Sequence, residues 1–449
     1  MKAITAKSQV EASTGEATTT TPAEGDDRFA TIYEFLCDER FIALRQRADN
    51  ELFLWEDLDA CPLPDGFTKE QTWALLTAVR RQTAIVLPWD TFMDKGYSAP
   101  MWYTSTRALT SRIERIEASA HRSSALTRAV SEHRGTVPLF DLTLRDIEAA
   151  FRMSGCPVEI VRGAKALEVA PAAVRGEERS GRVLANFLDL LDELPDMKGR
   201  RITVGFIEEL HYRLLEGIED FAPEEPVIAP LYAESAYRDP DVCLKTIASI
   251  AQGRDSVPLH PVLRATALYW FFLVCRPLSS WNSLVELLVR RLMLLQGDYP
   301  VLAMVPLAQL SEGWLEDNSA HRSSADMRAH LPEFEDDSTA WFLIYEDLFL
   351  DGLALLAERV ALVEQADERL DAALQGQYLN YRQRAILSNA LRDPALAQKI
   401  EPHRRSYHVA YSTARSDYLT LVDLGYLRME EQGKAFVFLP GPKLLEIMG

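Results

Sequence analysis

The sequence predicts a mainly α-helical protein, on three observations. Apolar residues recur three and four positions apart through most of the chain, which is the period of an amphipathic helix. One such segment contains Leu184, Phe187, Leu188 and Leu191. Proline and glycine stand between these segments and mark helix ends. Strand patterns are few, and the clearest is the apolar run 436–439.

The composition indicates a protein with a sizeable core and no membrane association. Of the 449 residues 47% are apolar, and a chain of this length predicts two or three domains of ~150 residues. No apolar run approaches the ~18 residues that a membrane-spanning helix needs. The five cysteines are scattered, without a CxxC pair. This usage favours a reducing, cytoplasmic location.

The chain divides into four predicted regions. Residues 1–26 are rich in Thr, Ala, Glu and Ser and lack the apolar segment of a signal peptide, which predicts a disordered tail. A helical N-terminal region follows over 27–200. A helical core is predicted over 201–370, and a C-terminal domain over 371–449.

The predicted core contains a motif frame that resembles the Fic family. An apolar helix pattern at 259–275 is followed by the short segment 276–284, a Leu-rich helix pattern to 295, and a Gly-Asp-Tyr-Pro turn at 297–300. Fic proteins carry the loop HPFxxGNGRxxR in this frame, and the spacing from Asn282 to the turn matches the family without a gap. The resemblance implies a Fic-fold helical bundle with a helical N-terminal region.

The loop lacks the residues that the family uses for its chemistry. Fic enzymes transfer AMP from ATP to a protein hydroxyl, and their loop His removes the proton. Arg276 stands at that position, and a guanidinium stays protonated in proteins. Ser280 stands where the family has its metal-binding Asp or Glu. Pro277 and Asn282 are the residues of the motif that remain.

The nucleotide-binding part of the motif is also changed. Trp281 and Ser283 replace two glycines that let backbone N–H groups approach phosphate oxygens at a helix N-terminus. Leu284 and Leu287 replace the two phosphate-binding arginines, which removes their bidentate contacts. The resemblance therefore implies a protein without ordinary adenylylation activity, and no cofactor or metal is predicted.

Other segments extend the resemblance over nearly the whole chain. The segments 53–66, 209–217 and 336–342 are similar to framework motifs of bacterial Fic proteins. Residues 148–158 are similar to the inhibitory helix of the family, with Pro157 where the inhibitory Glu belongs. These segments indicate ancestry and say little about substrate.

The C-terminal domain carries a second resemblance, to a winged helix-turn-helix of the kind that Fic proteins often contain. A helix opens at 381–387, a second helix follows over 411–424 with Ser412 or Thr413 as its N-cap, and Gly425 suits its C-terminal turn. The segment 427–438 is predicted to form a hairpin wing.

A winged helix of this kind implies duplex DNA as a partner. Recognition-helix side chains are expected to face the groove, and basic side chains to meet phosphates. The candidates are Thr413, Arg415, Ser416 and Tyr418 for the groove and His403, Arg404, Arg405 and Lys434 for phosphates. Residues 381–449 hold ten Lys and Arg against seven Asp and Glu, in a chain with net charge −19. Protein binding and dimerisation are the alternative uses of this domain.

The leading hypothesis is a regulatory or scaffold pseudoenzyme, and a homodimer is expected by family analogy. The alternative is an enzyme with a repurposed loop, in which Arg276 holds an anion, Ser279, Ser280 or Cys275 supplies a nucleophile, and Asn282 orients a carbonyl. No base is visible beside these residues in the sequence, and Glu286 is expected to point outward. Four large aromatic residues either fill the former cleft or form an apolar ligand pocket: Trp270, Phe271, Phe272 and Trp281. Tyr269 is a further candidate for the cleft.

Overall fold

The computed structural model confirms the mainly α class. It describes residues 23–90, 100–133, 137–156, 158–162, 167–169, 177–218, 240–253, 258–317, 337–392, 394, 397–407, 409–432 and 435–448. The chain forms two compact units, Met1–Ala78 and Val79–Gly449. Most of the predicted tail lies outside the described residues, but its last four residues already belong to the first helix. No described helix has the length and apolar character required to cross a membrane.

The first unit packs helices around aromatic side chains. Its elements are α1 (Ala23–Cys37), α2 (Glu39–Asn50), a 3₁₀ turn (Trp55–Ala60) and α3 (Lys69–Arg81), which runs into the second unit. Asp38 starts α2, because its carboxylate accepts the backbone N–H of Arg40 at 2.8 Å. Phe35 and Phe41 lie 4.3 Å apart between ring centroids and are both buried.

The second unit contains most of the helices. They are α4 (Arg107–Ala120), α5 (Ala125–Glu132), α6 (Val137–Met153), α7 (Glu177–Glu193), α8 (Val204–Leu214), α9 (Pro240–Gln252), α10 (Pro261–Cys275), α11 (Asn282–Gln296), α12 (Leu307–Asp317) and α13 (Thr339–Ala373). Short 3₁₀ turns lie at Asp196–Gly199 and Leu302–Met304. With 35 residues, α13 is about 52 Å long, and it runs without a break through the predicted boundary at residue 370.

Two strand pairs in the second unit do not appear in the sequence prediction. β1 (Ala84–Asp90) pairs with β2 (Pro100–Thr104), and β3 (Ile160–Arg162) pairs with β4 (Leu167–Val169), both antiparallel. Strands of three residues are too short to display the alternation by which a strand is recognised.

Helix α11 lies at the centre of the bundle. Every residue from Leu284 to Leu294 is buried, which is typical of a helix surrounded by protein on all sides. Charged side chains within it are paired: Arg290 Nε contacts Glu286 Oε1 at 2.6 Å, and Arg291 contacts Asp146 at 3.1 Å. These pairs let a central helix contain charges without leaving them alone in the core.

The C-terminal module comprises α14 (Tyr381–Arg392), α15 (Ile400–Tyr407), α16 (Tyr411–Asp423), β5 (Leu427–Gln432), β6 (Ala435–Pro440) and α17 (Pro442–Met448). β5 and β6 form the predicted hairpin. Gly425 has φ of +81° at the end of α16, as the predicted C-terminal turn requires. The predicted cap is wrong, because α16 begins at Tyr411 with Ala410 as N-cap and no side-chain cap.

Candidate functional site

The segment between α10 and α11 is a short, rigidly held loop. Arg276 and Trp281 at its two ends have positive φ, 43° and 54°, a conformation that bulky residues rarely adopt. Within the loop, the Asn282 side chain accepts the N–H of Leu278 at 3.0 Å and donates to its carbonyl at 2.9 Å. Asn282 therefore fixes the loop backbone, and both the oxygen and the nitrogen of its side-chain amide already form a hydrogen bond.

The positions predicted to replace phosphate-binding groups belong to the core. Leu284, Leu287 and Trp281 are fully buried. The Trp281 ring packs edge-on against Phe151, with centroids 5.2 Å apart. Apolar side chains occupy the first turn of α11 on its inner side.

A cleft of about 170 Å³ lies beside the loop. Its walls come from the end of α6, from α10, and from the loop with the start of α11: Met153, Ser154, Phe272, Leu273, Arg276, Leu278, Ser279, Ser280, Asn282 and Ser283. Five predicted loop residues thus share one cavity, and four of its lining side chains are serines. The Ser154 hydroxyl is buried and has no hydrogen-bond partner within the described part of the chain.

Six other predicted residues are not among those that line this cleft. Pro277 is buried, while Trp270 and Cys275 are half-buried. Tyr269 is buried and donates its hydroxyl to Ser311 Oγ at 2.9 Å. Trp281 belongs to the core as described above. The prediction that Glu286 points outward is wrong, because it is 2% exposed and its partner Arg290 lies one turn further along α11.

A histidine lies beside the loop, although the sequence, which favours a core or capping role for it, does not connect it with the loop. His211, in the last turn of α8, places its Nε2 3.4 Å from the hydroxyl of Ser280. Burial lowers the pKa of His211, although a hydrogen bond with the Ser280 backbone opposes the shift. The expectation that the loop has no base beside it is therefore wrong. The two residues lie 69 positions apart, so no local motif could show their contact.

On the C-terminal module, one face of α16 is open to solvent. Tyr411, Ser412, Arg415 and Ser416 are exposed, and their spacing of four places them on one side of the helix. Thr413 is half-buried. Ser412 and Tyr411 were not among the predicted DNA-facing residues, although the spacing from Arg415 and Ser416 could have identified them.

Two predicted DNA contacts are wrong, because His403 and Tyr418 are buried at 7% and 2% exposure. Tyr418 stacks on Phe438 with centroids 4.4 Å apart. His403 Nε2 lies 3.6 Å from Asp417, and Arg382 contacts the same carboxylate at 2.7 Å. Burial lowers the pKa of His403 despite this carboxylate. These side chains hold the helices of the module together.

The remaining phosphate candidates differ in how they are held. Arg404 is half-buried and paired with Glu401 at 2.6 Å in the same helix. The side chain of Arg405 and all of Lys434 lie outside the described residues. Among the described residues, no group of three or more His, Cys, Asp or Glu side chains converges as a metal site.

Comparison with known proteins gives little beyond this geometry. No protein-family model matches the chain, and no curated protein matches it. Among solved structures it is similar to a Fic family protein from Desulfovibrio desulfuricans G20, with probability 1.00, 12% sequence identity and a TM-score of 0.39. The match covers 76% of this chain and 98% of that chain. A TM-score below 0.5 does not establish a shared fold.

Proposed function

We propose that this protein is a divergent Fic-type pseudoenzyme that does not transfer AMP and acts as a regulator, binding duplex DNA through a C-terminal winged helix. The family assignment rests on the motif frame around residues 259–300. The DNA-binding role rests on one observation, the polar face of α16 with the exposed side chains of Tyr411, Ser412, Arg415 and Ser416.

The burial pattern of α11 supports the loss of nucleotide binding. Phosphate groups need N–H donors and cations that reach solvent. Leu284 and Leu287 are fully buried, and Trp281, at one of the two glycine positions of the Fic motif, is buried against Phe151. Arg276 lines the cleft, but it cannot act as a general base at neutral pH.

The inner side of α16 supports a recognition role for its outer side. Asp417 is buried and accepts hydrogen bonds from Asn380 at 3.0 Å and from Arg382 at 2.7 Å. Ala414 and Leu421 are also buried in the module core. The helix is therefore anchored at defined positions, and a helix held in this way can present its outer side chains to a groove in a fixed orientation.

The charge distribution predicts modest, salt-dependent affinity. The module has an excess of three positive charges, whereas the chain as a whole carries −19. Protein–DNA affinity without base recognition comes mainly from phosphate contacts and falls steeply with salt. A dimer would place two α16 helices on successive turns of the duplex, about 34 Å apart, and light scattering after size exclusion tests that arrangement.

Fluorescence anisotropy of a labelled duplex titrated with the full-length protein tests the DNA-binding proposal. We expect saturable binding at about 50 mM salt that weakens strongly by about 200 mM. Arg415→Glu should weaken binding and reduce the salt slope by about one. Arg128→Glu, which changes an exposed arginine of α5, is the matched control because it alters net charge equally.

Two outcomes would overturn the DNA-binding role. If the folded protein does not bind the duplex at low salt, the exposed face of α16 would have to bind a protein partner instead. Equal losses in the two variants would show that only net charge matters. The loss of the nucleotide site has its own test: calorimetric titration with ATP and Mg²⁺ should give no binding heat, and saturable heat would contradict the pseudoenzyme assignment.

A further inference from the structure

The pairing of Ser280 with His211 is a feature that the proposed regulator does not use. Ser280 is 2% exposed, yet it lines the cleft. His211 Nε2 lies 3.4 Å from its hydroxyl oxygen. A nucleophilic serine needs a base within hydrogen-bond reach, and such contacts are commonly longer before substrate is bound. The pair has the composition and arrangement of an activated nucleophile.

The protonation state of His211 suits a base. Burial disfavours the imidazolium and lowers the pKa of His211. Burial therefore favours the neutral ring, and a neutral imidazole nitrogen can accept the serine proton. A serine hydroxyl alone is a weak nucleophile, and a neighbouring base is what raises its reactivity.

The same cleft contains groups that stabilise negative charge. It lies at the start of α11, where the first backbone N–H groups of a helix have no partner within the helix. Asn282 and Ser283 are the first two residues of that helix, and they line the cleft together with Arg276. Ser154 adds a buried hydroxyl without a partner in the described chain. Donors fixed in advance around a developing oxyanion are the main source of stabilisation in acyl transfer.

The backbone around the pair is held in place. The Asn282 amide clamps Leu278 on both sides, and Arg276 and Trp281 hold left-handed conformations at the two ends of the loop. Conformations of this kind are costly for residues other than glycine, and they concentrate at functional sites. Ser280 therefore occupies a defined position relative to His211 and the cleft.

We propose that the cleft is a serine esterase site for small carboxylic esters, with Ser280 as nucleophile and His211 as general base. Ser280 Oγ forms a bond to the ester carbonyl carbon while its proton passes to His211 Nε2. The carbon–oxygen bond of the leaving alcohol then breaks, and His211 protonates that oxygen. Water, activated by His211, attacks the acyl-serine, releases the acid and restores the hydroxyl. A volume of about 170 Å³ limits the acyl part to a short chain.

Labelling with a fluorophosphonate and hydrolysis of p-nitrophenyl acetate test the site in the full-length protein. We expect mass spectrometry to find the phosphonyl group on Ser280. Ser280→Ala should abolish labelling, and His211→Gln should lower labelling and hydrolysis by about 10²-fold or more. Ser311→Ala is the matched control, because Ser311 is equally buried in the same bundle but lies outside the cleft. It should label as the wild type does.

Further measurements separate a chemical role from a structural one. The wild-type rate should rise with pH through an inflection below the ordinary pKa of His, as His211 loses its proton, and His211→Gln should lack this inflection. In Ser280→Cys, position 280 should no longer react with the fluorophosphonate and should react with iodoacetamide instead. Absence of labelling in the folded wild-type protein, labelling at another serine, or labelling retained in Ser280→Ala would each overturn the proposal. DNA binding is measured separately, and Ser280→Ala should leave it unchanged.

Discussion

Helices α11 and α16 both follow a short connection, and their side chains have opposite surroundings. In α11 only Asn282 and Ser283 reach the cleft before a stretch, from Leu284 to Leu294, in which every residue is buried. In α16 the first six residues expose Tyr411, Ser412, Arg415 and Ser416 and bury only Ala414. Substitutions at buried positions affect the stability of the bundle. An exposed first turn can change its side chains at little cost to folding, so it is the place where recognition can evolve.

Placing a cation in the buried part of α11 is the test with the largest expected effect on stability. Leu287→Arg would place an arginine where the proposed Fic relationship would have a phosphate-binding one. Because Leu287 is fully buried, the new charge would lie in the core without a partner, and we expect a loss on the order of 5 kcal/mol in the free energy of unfolding. Urea denaturation measures it.

The matched control is Leu287→Met, which keeps the volume and apolar character and should cost less than about 1.5 kcal/mol. A Leu287→Arg protein that unfolds at the wild-type urea concentration and binds ATP would show that a side chain at position 287 can reach a bound phosphate.

The sequence did not predict which charged side chains of the bundle are buried or how they pair. Apolar spacing located the helices around the loop and the hairpin of the C-terminal module, because those patterns are local. Glu286 is expected on the surface by the same logic, yet it is buried, as is its partner Arg290. The partner of the adjacent Arg291 is Asp146, 145 residues away. Pairing at such a separation depends on tertiary packing, and one sequence carries no signal for it.

A second contrast between the two regions concerns a carboxyl in the bundle core. Burial raises the pKa of Glu346 to about 8; Thr266 donates to one oxygen at 3.1 Å, and the other oxygen has no partner in the described chain. The folded protein keeps this proton between the ordinary pKa of Glu and about 8, whereas the unfolded chain releases it. Stability should therefore fall as pH rises through this range and then level off.

Glu346→Gln should remove this dependence. The amide oxygen can still accept from Thr266, and no charge forms at high pH. We expect the variant to exceed the wild type by on the order of 3 kcal/mol at pH 8.5 and by little at pH 5. Thermal melts at the two pH values measure the difference. If the stabilities of the wild type and of Glu346→Gln depend on pH in the same way, Glu346 is ionised in the folded protein throughout this range.

The carboxylate of the C-terminal module should behave in the opposite way. Burial alone would raise the pKa of Asp417, but hydrogen bonds from Arg382 and Asn380 outweigh it and hold the value below the ordinary one. Its stabilisation is present above the pKa of an unfolded Asp and is lost as pH falls through the lower folded value. Asp417→Ala should cost about 2 kcal/mol at pH 7.

Asp423→Ala is the control, because Asp423 is exposed at the end of the same helix and should change stability by less than about 0.5 kcal/mol. Hydrogen exchange of the α14 and α16 amides locates the loss within the module. An equal loss of protection in α11 would indicate that the two regions unfold together, and the contrast between them would then not extend to their stabilities.

The exposed face of α16 shows how far the sequence could predict which side chains of the C-terminal module face solvent. The prediction named Arg415 and Ser416, which are exposed, but also His403 and Tyr418, which are buried. A helix has polar residues on both sides when its buried side is anchored by hydrogen bonds, as α16 is through Asp417. The hydrophobic pattern then fails to separate the two sides, and only the structure shows that Tyr411 belongs to the outer one.

The substitution with the smallest expected effect, Tyr411→Ala, tests the exposed side of α16. Tyr411 is 53% exposed, so Tyr411→Ala should change the free energy of unfolding by less than about 0.5 kcal/mol. Its hydroxyl can reach a DNA phosphate, and its loss should weaken duplex binding roughly threefold to tenfold, or ~1 kcal/mol. Tyr378→Ala, at a fully exposed tyrosine outside α16, should change neither quantity. If Arg415→Glu weakens binding while Tyr411→Ala does not, α16 attracts the duplex by charge alone, and its exposed face is not docked in a groove.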